Sequence, residues 1–261
     1  KIQLHAYAKI NLTLDVTGKR PNGYHDVEMI MQQISLCDEV TVSWEAGSVR
    51  RGKPGQTAEP DPTGIQIQLT VSRPDLPADS SNLAWKAAEE MIAEFGGPAG
   101  GSSKTAAGTD AAGGSSKAAA GTEAAGGVLT IDIQKQIPMA AGLAGGSSNC
   151  AAVLHAINQL WELNLSVKEL CRIGARLGSD VPFCIMGQAA AEEALQESFA
   201  DDPDACHCAL ATGTGTDLKP LTGLDSFIVL SKPAIGVSTA EVYRGIDNEG
   251  IPRHPDNNAV I

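Results

Sequence analysis

Ile137-Pro138-Met139-Ala140-Ala141-Gly142-Leu143-Ala144-Gly145-Gly146-Ser147-Ser148 is the stretch on which the reading of the whole chain turns. Before it, Val128 to Ile133 alternates apolar and polar residues, as a strand with one buried face does. After it, Cys150, Val153, Leu154, Ile157, Leu160 and Trp161 recur at steps of three and four, which predicts an amphipathic helix beginning at the two serines. A glycine-rich turn between a strand and a helix lets backbone N–H groups crowd around phosphate oxygens. The helix end adds roughly half a positive charge, and serine hydroxyls add donors. The spacing is not the P-loop pattern, since no Gly-Lys-Ser or Gly-Lys-Thr follows, and it is not Gly-x-Gly-x-x-Gly. A Gly/Ala turn that only packs a helix closely on a sheet has the same appearance, and spacing alone leaves both readings standing.

Towards the N-terminus, every even position from Ile2 to Val16 is apolar, which predicts a long strand with one buried face and with Lys9 and Asn11 on the other, open side. The turn formers Gly18 to Gly23 lead to Tyr24-His25 and then to two apolar runs, Val27 to Leu36 and Val40 to Trp44; Ile65 to Val71 alternates again. Asn82 and Gly96 bracket a helix over Leu83 to Phe95. Residues 97 to 127 hold a thirteen-residue Gly/Ala/Ser repeat with no large apolar side chain, expected to be a mobile low-complexity insertion. Towards the C-terminus, Ser166 and Glu169 form a capping box for a helix ended by Gly178, so Asp180 falls on the tight turn before Val181-Pro182. Six acids between 191 and 206 read as a solvated insertion; a strand over Phe227 to Ser231, a turn over 232 to 236 and a helix over Thr239 to Ile246 come last.

With 19 Lys and Arg against 31 Asp and Glu, the net charge of −12 argues against nucleic acid and anionic membrane as partners. A small anionic ligand must be held locally, by backbone donors and a few placed cations. The first residues alternate instead of forming an apolar block, and no run of about 18 apolar residues occurs, so the expected compartment is the cytoplasm. The six cysteines sit mostly among apolar neighbours and read as reduced thiols. Cys206-His207-Cys208 lacks the spacing and the second half-site that zinc needs, and no metal site is read from the sequence.

Asp180, mounted between a helix end and Pro182, is the candidate for acid/base work, although a turn-stabilising carboxylate would sit in the same place. Lys9 could screen phosphate charge or simply be solvated. Tyr24-His25 could stack on and hydrogen-bond a ring, or only pack.

Taken together, Ala6 to Leu12 with Arg20-Pro21-Asn22-Gly23-Tyr24-His25, Ile137 to Asn149, Leu177 to Pro182, and Gly236-Val237-Ser238-Thr239-Ala240-Glu241-Val242-Tyr243 resemble the superfamily of galactokinase, homoserine kinase, mevalonate kinase and phosphomevalonate kinase. Within it, the Gly-Tyr-His and Val-Ser-Thr-Ala-Glu-Val-Tyr stretches resemble the 4-diphosphocytidyl-2-C-methyl-D-erythritol kinases. The resemblance implies a two-lobed α+β small-molecule kinase: residues 1–187 an N-terminal lobe binding ATP and substrate, residues 188–261 the start of a C-terminal substrate lobe. That second lobe is expected to be incomplete, because the family's third glycine-rich motif has no counterpart before Ile261. By the same resemblance Pro138, Gly142, Leu143, Ala144, Gly145, Gly146, Ser147 and Ser148 would cradle ATP with Mg²⁺. Asp180 would take the hydroxyl proton and Lys9 would steady charge. Asn11, Tyr24, His25, Thr239 and Tyr243 would hold the small-molecule substrate, Tyr24 and Tyr243 flanking its cytosine and His25 on the hydrogen-bonding edge. The implied activity is ATP-dependent phosphorylation of the substrate 2-hydroxyl in the non-mevalonate route to isoprenoids. A kinase acting on another small alcohol and a non-catalytic nucleotide-binding module are the alternatives.

Overall fold

The computed structural model describes residues 1–47, 64–98, 126–232, 236, 239–251 and 253–260. The repeat at 99–123 and most of the turn at 232–236 lie outside the described residues. β1 (Ile2–Lys19) turns through Arg20–Tyr24 into β2 (His25–Ala46), and the two strands pair antiparallel. The two runs expected at Val27 to Leu36 and Val40 to Trp44 form one strand of 22 residues, because Cys37, Asp38 and Glu39 between them stay paired with Tyr7, Ala6 and His5. The alternation of β1 is not one uninterrupted face. Register shifts between Tyr7 and Lys9, Asn11 and Thr13, and Val16 and Gly18 bulge the strand and rotate its side chains. Leu4, Ala6 and Ala8 are buried as expected, but so are Lys9 and Asp15, while Leu14 is exposed.

β3 (Ile65–Val71) and β4 (Gly127–Gln134) pair in parallel, which requires a crossover, and α1 (Leu83–Phe95) supplies it. Its ends are those expected. The Asn82 side chain accepts from Ala84 N at 3.0 Å, and Gly96 closes the helix at φ 72°, where a side chain would cost about 1–2 kcal/mol. β1 occupies one edge of β2. The other edge is shared by β4, against residues 39–46, and by β5 (Cys208–Thr212), against residues 29–32. β6 (Asp217–Leu221) extends β5.

α2 (Gly145–Leu160) and α4 (Val181–Ala191) pack on β1, β2 and each other, and α3 (Val167–Leu177) packs on α1, α2 and α4. They close a core that includes Leu4, Val40, Leu129, Ile131, Leu154 and Ile185. Residues 187 and 188, where the lobe boundary was expected, lie inside α4. The acidic block after it is not simply solvated: Leu195 and Phe199, the latter closing the short α5 (Gln196–Phe199), anchor it in the core while Glu193, Glu197 and Asp201 face outward. An amphipathic turn needs only two apolar anchors to bury one side, a pattern its acid content obscures. Phe227 to Ser231 forms no strand, and Phe227 and Val229 are exposed. A short apolar run makes a strand only where a paired edge is available, and among the described residues none meets it. α6 (Thr239–Glu249) follows, and the segment after it is tied to the β1–β2 hairpin by His254 Nδ1 to Asp15 Oδ1 at 2.6 Å and Asn257 Nδ2 to Glu28 Oε1 at 2.7 Å.

Candidate active site

The glycine loop leaves β4 and opens α2 two residues earlier than the serines suggested, at Gly145. Ala140, Gly142 and Ala144 take φ of 48°, 71° and 55°. Glycine accommodates this freely, but the two alanines hold strained left-handed backbone of the kind that gathers at binding sites. Ala144 is the N-cap of α2 and supplies no side-chain cap, so the first turn of a 16-residue helix presents its N–H groups without a side-chain acceptor. Gly145 is favoured by close approach: a Cβ there would stand 3.1 Å from Ile137 Cγ2 and 3.2 Å from Lys135 Nζ, so both side chains would have to give way slightly. Pro138, Gly142 and Gly146 are exposed on the loop, and the Ser147 hydroxyl makes no hydrogen bond among the described residues. Ser148 is placed differently from its neighbour. It is 0% exposed, its hydroxyl donates to the Tyr7 carbonyl at 2.5 Å, and Gln188 Nε2 donates to its carbonyl at 2.9 Å, so it locks α2 to β1 instead of facing a ligand. The Leu143 side chain is likewise buried, against Ala8 and Ile137, and its carbonyl accepts from Lys9 N at 3.2 Å.

Beneath the loop lies a network that sequence reasoning missed. Asp38, fully buried in β2, accepts from Gln136 N at 2.6 Å and Ile137 N at 2.8 Å through one oxygen. Its other oxygen accepts from Asn149 Nδ2 at 2.9 Å and from Lys135 Nζ, and Lys135 also donates to Asn149 Oδ1 at 2.9 Å. One carboxylate thus joins the strand-to-loop junction to the second turn of α2. Such a group is tolerated in a core only when paired and fully hydrogen-bonded, as here.

Asp180 is the first residue of the α3-to-α4 turn's exit into α4, with Pro182 in that helix's first turn. Its backbone carbonyl accepts from Cys184 N at 3.1 Å, but its carboxylate caps nothing. The carboxylate instead faces Lys9, with Oδ2 3.6 Å from Nζ. Lys9 is only 5% exposed, not on an open strand face, because the bulge after Tyr7 turns it inward. Its ammonium donates to Asn11 Oδ1 at 3.0 Å. Lys9 therefore touches both halves of the site, its backbone bonded to the glycine loop and its side chain paired with Asp180.

The aromatic residues come together only in part. His25 and Tyr243 stack, ring centroids 4.7 Å apart and planes 18° from parallel, which brings α6 onto the hairpin. Burial, and after it the charge of Asp180, raises the Tyr243 hydroxyl above its ordinary pKa. Tyr24, 67% exposed, makes no ring contact among the described residues, and the two tyrosines do not form a facing pair. Thr239 opens α6, and its side chain lies outside the described residues. A further residue joins the group: Asp247 receives His25 Nε2 at 2.7 Å and Lys19 Nζ at 2.6 Å. Only a helical count from Tyr243 could have signalled it, since Tyr243 and Asp247 are four residues apart and share a face. Among the described residues no group of three or more His, Cys, Asp or Glu is placed to hold a metal ion, and no helix is long and apolar enough to cross a membrane.

Residues 82–188 match the profile of the GHMP kinases N terminal domain. The 4-diphosphocytidyl-2-C-methyl-D-erythritol kinase of Alkaliphilus metalliredigens is 38% identical over 262 aligned positions, covering 100% of this chain and 68% of the relative. That of Clostridioides difficile is also 38% identical, with 100% and 67% covered. A crystal structure of 4-(cytidine 5'-diphospho)-2C-methyl-D-erythritol kinase superposes with a TM-score of 0.58 at 26% identity, covering 99% of this chain and 69% of the other. A mevalonate pyrophosphate decarboxylase from Streptococcus pyogenes, at 15% identity and a TM-score of 0.51 over 92% and 58% of the two chains, shares the fold. On the strength of these relatives, and of a glycine loop, lysine and aspartate brought together along β1, the chain belongs to the 4-diphosphocytidyl-2-C-methyl-D-erythritol kinase family of GHMP kinases.

Proposed function

We propose that this site transfers the γ-phosphoryl group of ATP to the 2-hydroxyl of 4-diphosphocytidyl-2-C-methyl-D-erythritol, with Asp180 as the base. The observation that carries the reading is Lys9, hydrogen-bonded to the glycine loop through its backbone and ion-paired with Asp180 through its ammonium. The acceptor hydroxyl would give its proton to Asp180 as its oxygen bonds to the γ-phosphorus and the bond to the β-phosphate oxygen breaks, releasing ADP. Lys9 would hold the Asp180 carboxylate in place and offset charge on the attacking oxygen. Phosphoryl transfer asks little covalent chemistry of a protein, so positioning and charge dominate.

Three features of the loop suit a polyphosphate: left-handed backbone at Ala140, Gly142 and Ala144, exposed Gly142 and Gly146, and a first turn of α2 without a side-chain cap. Mg²⁺, bound to that polyphosphate, would neutralise charge on the transferred group. Ser147 is the loop hydroxyl left to ligate it, and phosphate oxygens and water would complete a shell of the kind this ion keeps. Asn11, bonded to the Lys9 ammonium, would hold the acceptor substrate, and Tyr24, His25 and Tyr243 its cytidine end.

Asp180→Asn tests the assignment. It should bind nucleotide as the unaltered chain does and lose on the order of 10² to 10⁴ in turnover. Unchanged turnover would show that the carboxylate only shapes its turn.

A further inference from the structure

His25 begins β2 directly across the hairpin from Lys19, and α6 lies over both. Tyr243 covers the face of the imidazole, and Asp247, one turn further along α6, meets its edge. The carboxylate of Asp247 is shared, one oxygen 2.7 Å from His25 Nε2 and the other 2.6 Å from Lys19 Nζ. These two donors hold its pKa below the usual carboxylate value, so it is ionised and can only accept. The hydrogen between Asp247 and His25 therefore sits on Nε2. In a neutral imidazole whose Nε2 carries the hydrogen, Nδ1 is a bare lone pair. Among the described residues nothing bonds to that nitrogen.

We propose that Asp247 is a positioning residue that fixes the His25 tautomer and, through it, makes the site select a cytosine-bearing acceptor over the uracil-bearing analogue. The inference rests on the reading above that His25 meets the base edge of the substrate. An Nδ1 acceptor pairs with an N–H donor. Cytosine presents an exocyclic amino group at ring position 4, whereas uracil presents a carbonyl oxygen there, and two lone pairs would face each other. A site built to bond one polar edge rejects the edge of opposite sense far more strongly than a merely hydrophobic pocket distinguishes shapes. Lys19 keeps the Asp247 carboxylate charged, and Tyr243 keeps the imidazole from turning over, so each member of the group serves the same orientation. An asparagine at 247 can offer His25 either its oxygen or its amide nitrogen, which frees the ring to adopt both tautomers.

The test compares kcat/KM for the cytidine- and uridine-diphosphate-linked forms of the acceptor in the unaltered chain, Asp247→Asn and Asp247→Glu. It is run at pH 8, above the ordinary imidazole value of about 6.5. The unaltered chain should prefer the cytidine form by at least about a hundredfold. Asp247→Asn should reduce that preference at least about tenfold with the KM for ATP unmoved, and Asp247→Glu should restore most of it. In parallel, ¹⁵N NMR of histidine-labelled protein should show His25 with the hydrogen on Nε2 in the unaltered chain and a mixture in Asp247→Asn. Full preference in Asp247→Asn, or a His25 ring with the hydrogen on Nδ1 in the unaltered chain, overturns the proposal while leaving the proposed function intact. An unaltered chain that phosphorylates neither form refutes that function, and the selectivity with it; the tautomer result then stands on its own.

Discussion

Asp38→Asn is the substitution whose cost the structure defines most closely. The carboxylate accepts four hydrogen bonds, two from backbone N–H groups and two from Asn149 and Lys135. An asparagine of the same shape keeps one oxygen. If that oxygen stays on Gln136 N and Ile137 N, the new amide nitrogen confronts the Lys135 ammonium and Asn149 Nδ2, donor against donors. Two charge-assisted bonds are lost at about 1.5–3 kcal/mol each. The buried Lys135 ammonium, whose side chain is 6% exposed, is left without its ion-pair partner, a loss that by itself ranges over about 3–5 kcal/mol. The two routes describe the same interaction and converge on about 4 kcal/mol. Urea unfolding followed by tryptophan fluorescence is a suitable assay, because the buried Trp161 packs edge-on against Trp44 with centroids 5.8 Å apart. The midpoint should fall with the slope m unchanged. Adding Lys135→Met should recover much of the loss, since removing both charges removes the unpaired one. A loss below about 1 kcal/mol, or no recovery in the double variant, would refute the idea that Asp38 and Lys135 act as a buried pair.

Three other outcomes follow from the geometry. Ala144→Gly should relieve about 1–2 kcal/mol of left-handed strain against about 0.4–1 kcal/mol of added unfolded-state entropy, a net gain of up to about 1.6 kcal/mol that a thermal melt would register. His155, fully buried beside Phe199 and bonded to the Ile185 carbonyl at 3.0 Å, has its pKa pushed down to about 4 by burial. The unfolded chain takes up that proton first, so stability complete above about pH 6.5 should fall by about 3 kcal/mol towards pH 4, and the urea midpoint of His155→Gln should lose this part of the pH dependence. His25→Ala should raise the KM for the cytidine-linked acceptor about tenfold and leave that for ATP nearly unchanged, measured in one preparation; a parallel rise in both would place His25 in the general fold.

What the sequence made legible was local. The ends of α1 and α3 could be named from Asn82, Gly96, Ser166 and Glu169, because each cap is a bond between residues two to four apart. The glycine loop was visible for the same reason: strand, turn and helix follow in order. What could not be read depends on distant partners. The burial of Lys9 follows from a bulge set by pairing with β2, and Asp38 meets Lys135 across 97 positions of chain. His25 and Asp247 are 222 positions apart, and no period or motif joins them. Ser147 and Ser148 are adjacent and chemically alike, yet the helical rotation between them leaves one half-buried and sends the other into the core. Phe227 to Ser231 shows the converse, a strand pattern that finds no edge to pair with.

The most direct measurement is ³¹P NMR of the chain incubated with ATP, Mg²⁺ and, in separate tubes, 4-diphosphocytidyl-2-C-methyl-D-erythritol, mevalonate and homoserine. A new phosphomonoester resonance should appear only with the cytidyl alcohol, in step with ADP, and should vanish in Asp180→Asn. A phosphomonoester formed from mevalonate or homoserine instead, or nucleotide binding with no transfer to any of the three, would contradict the account.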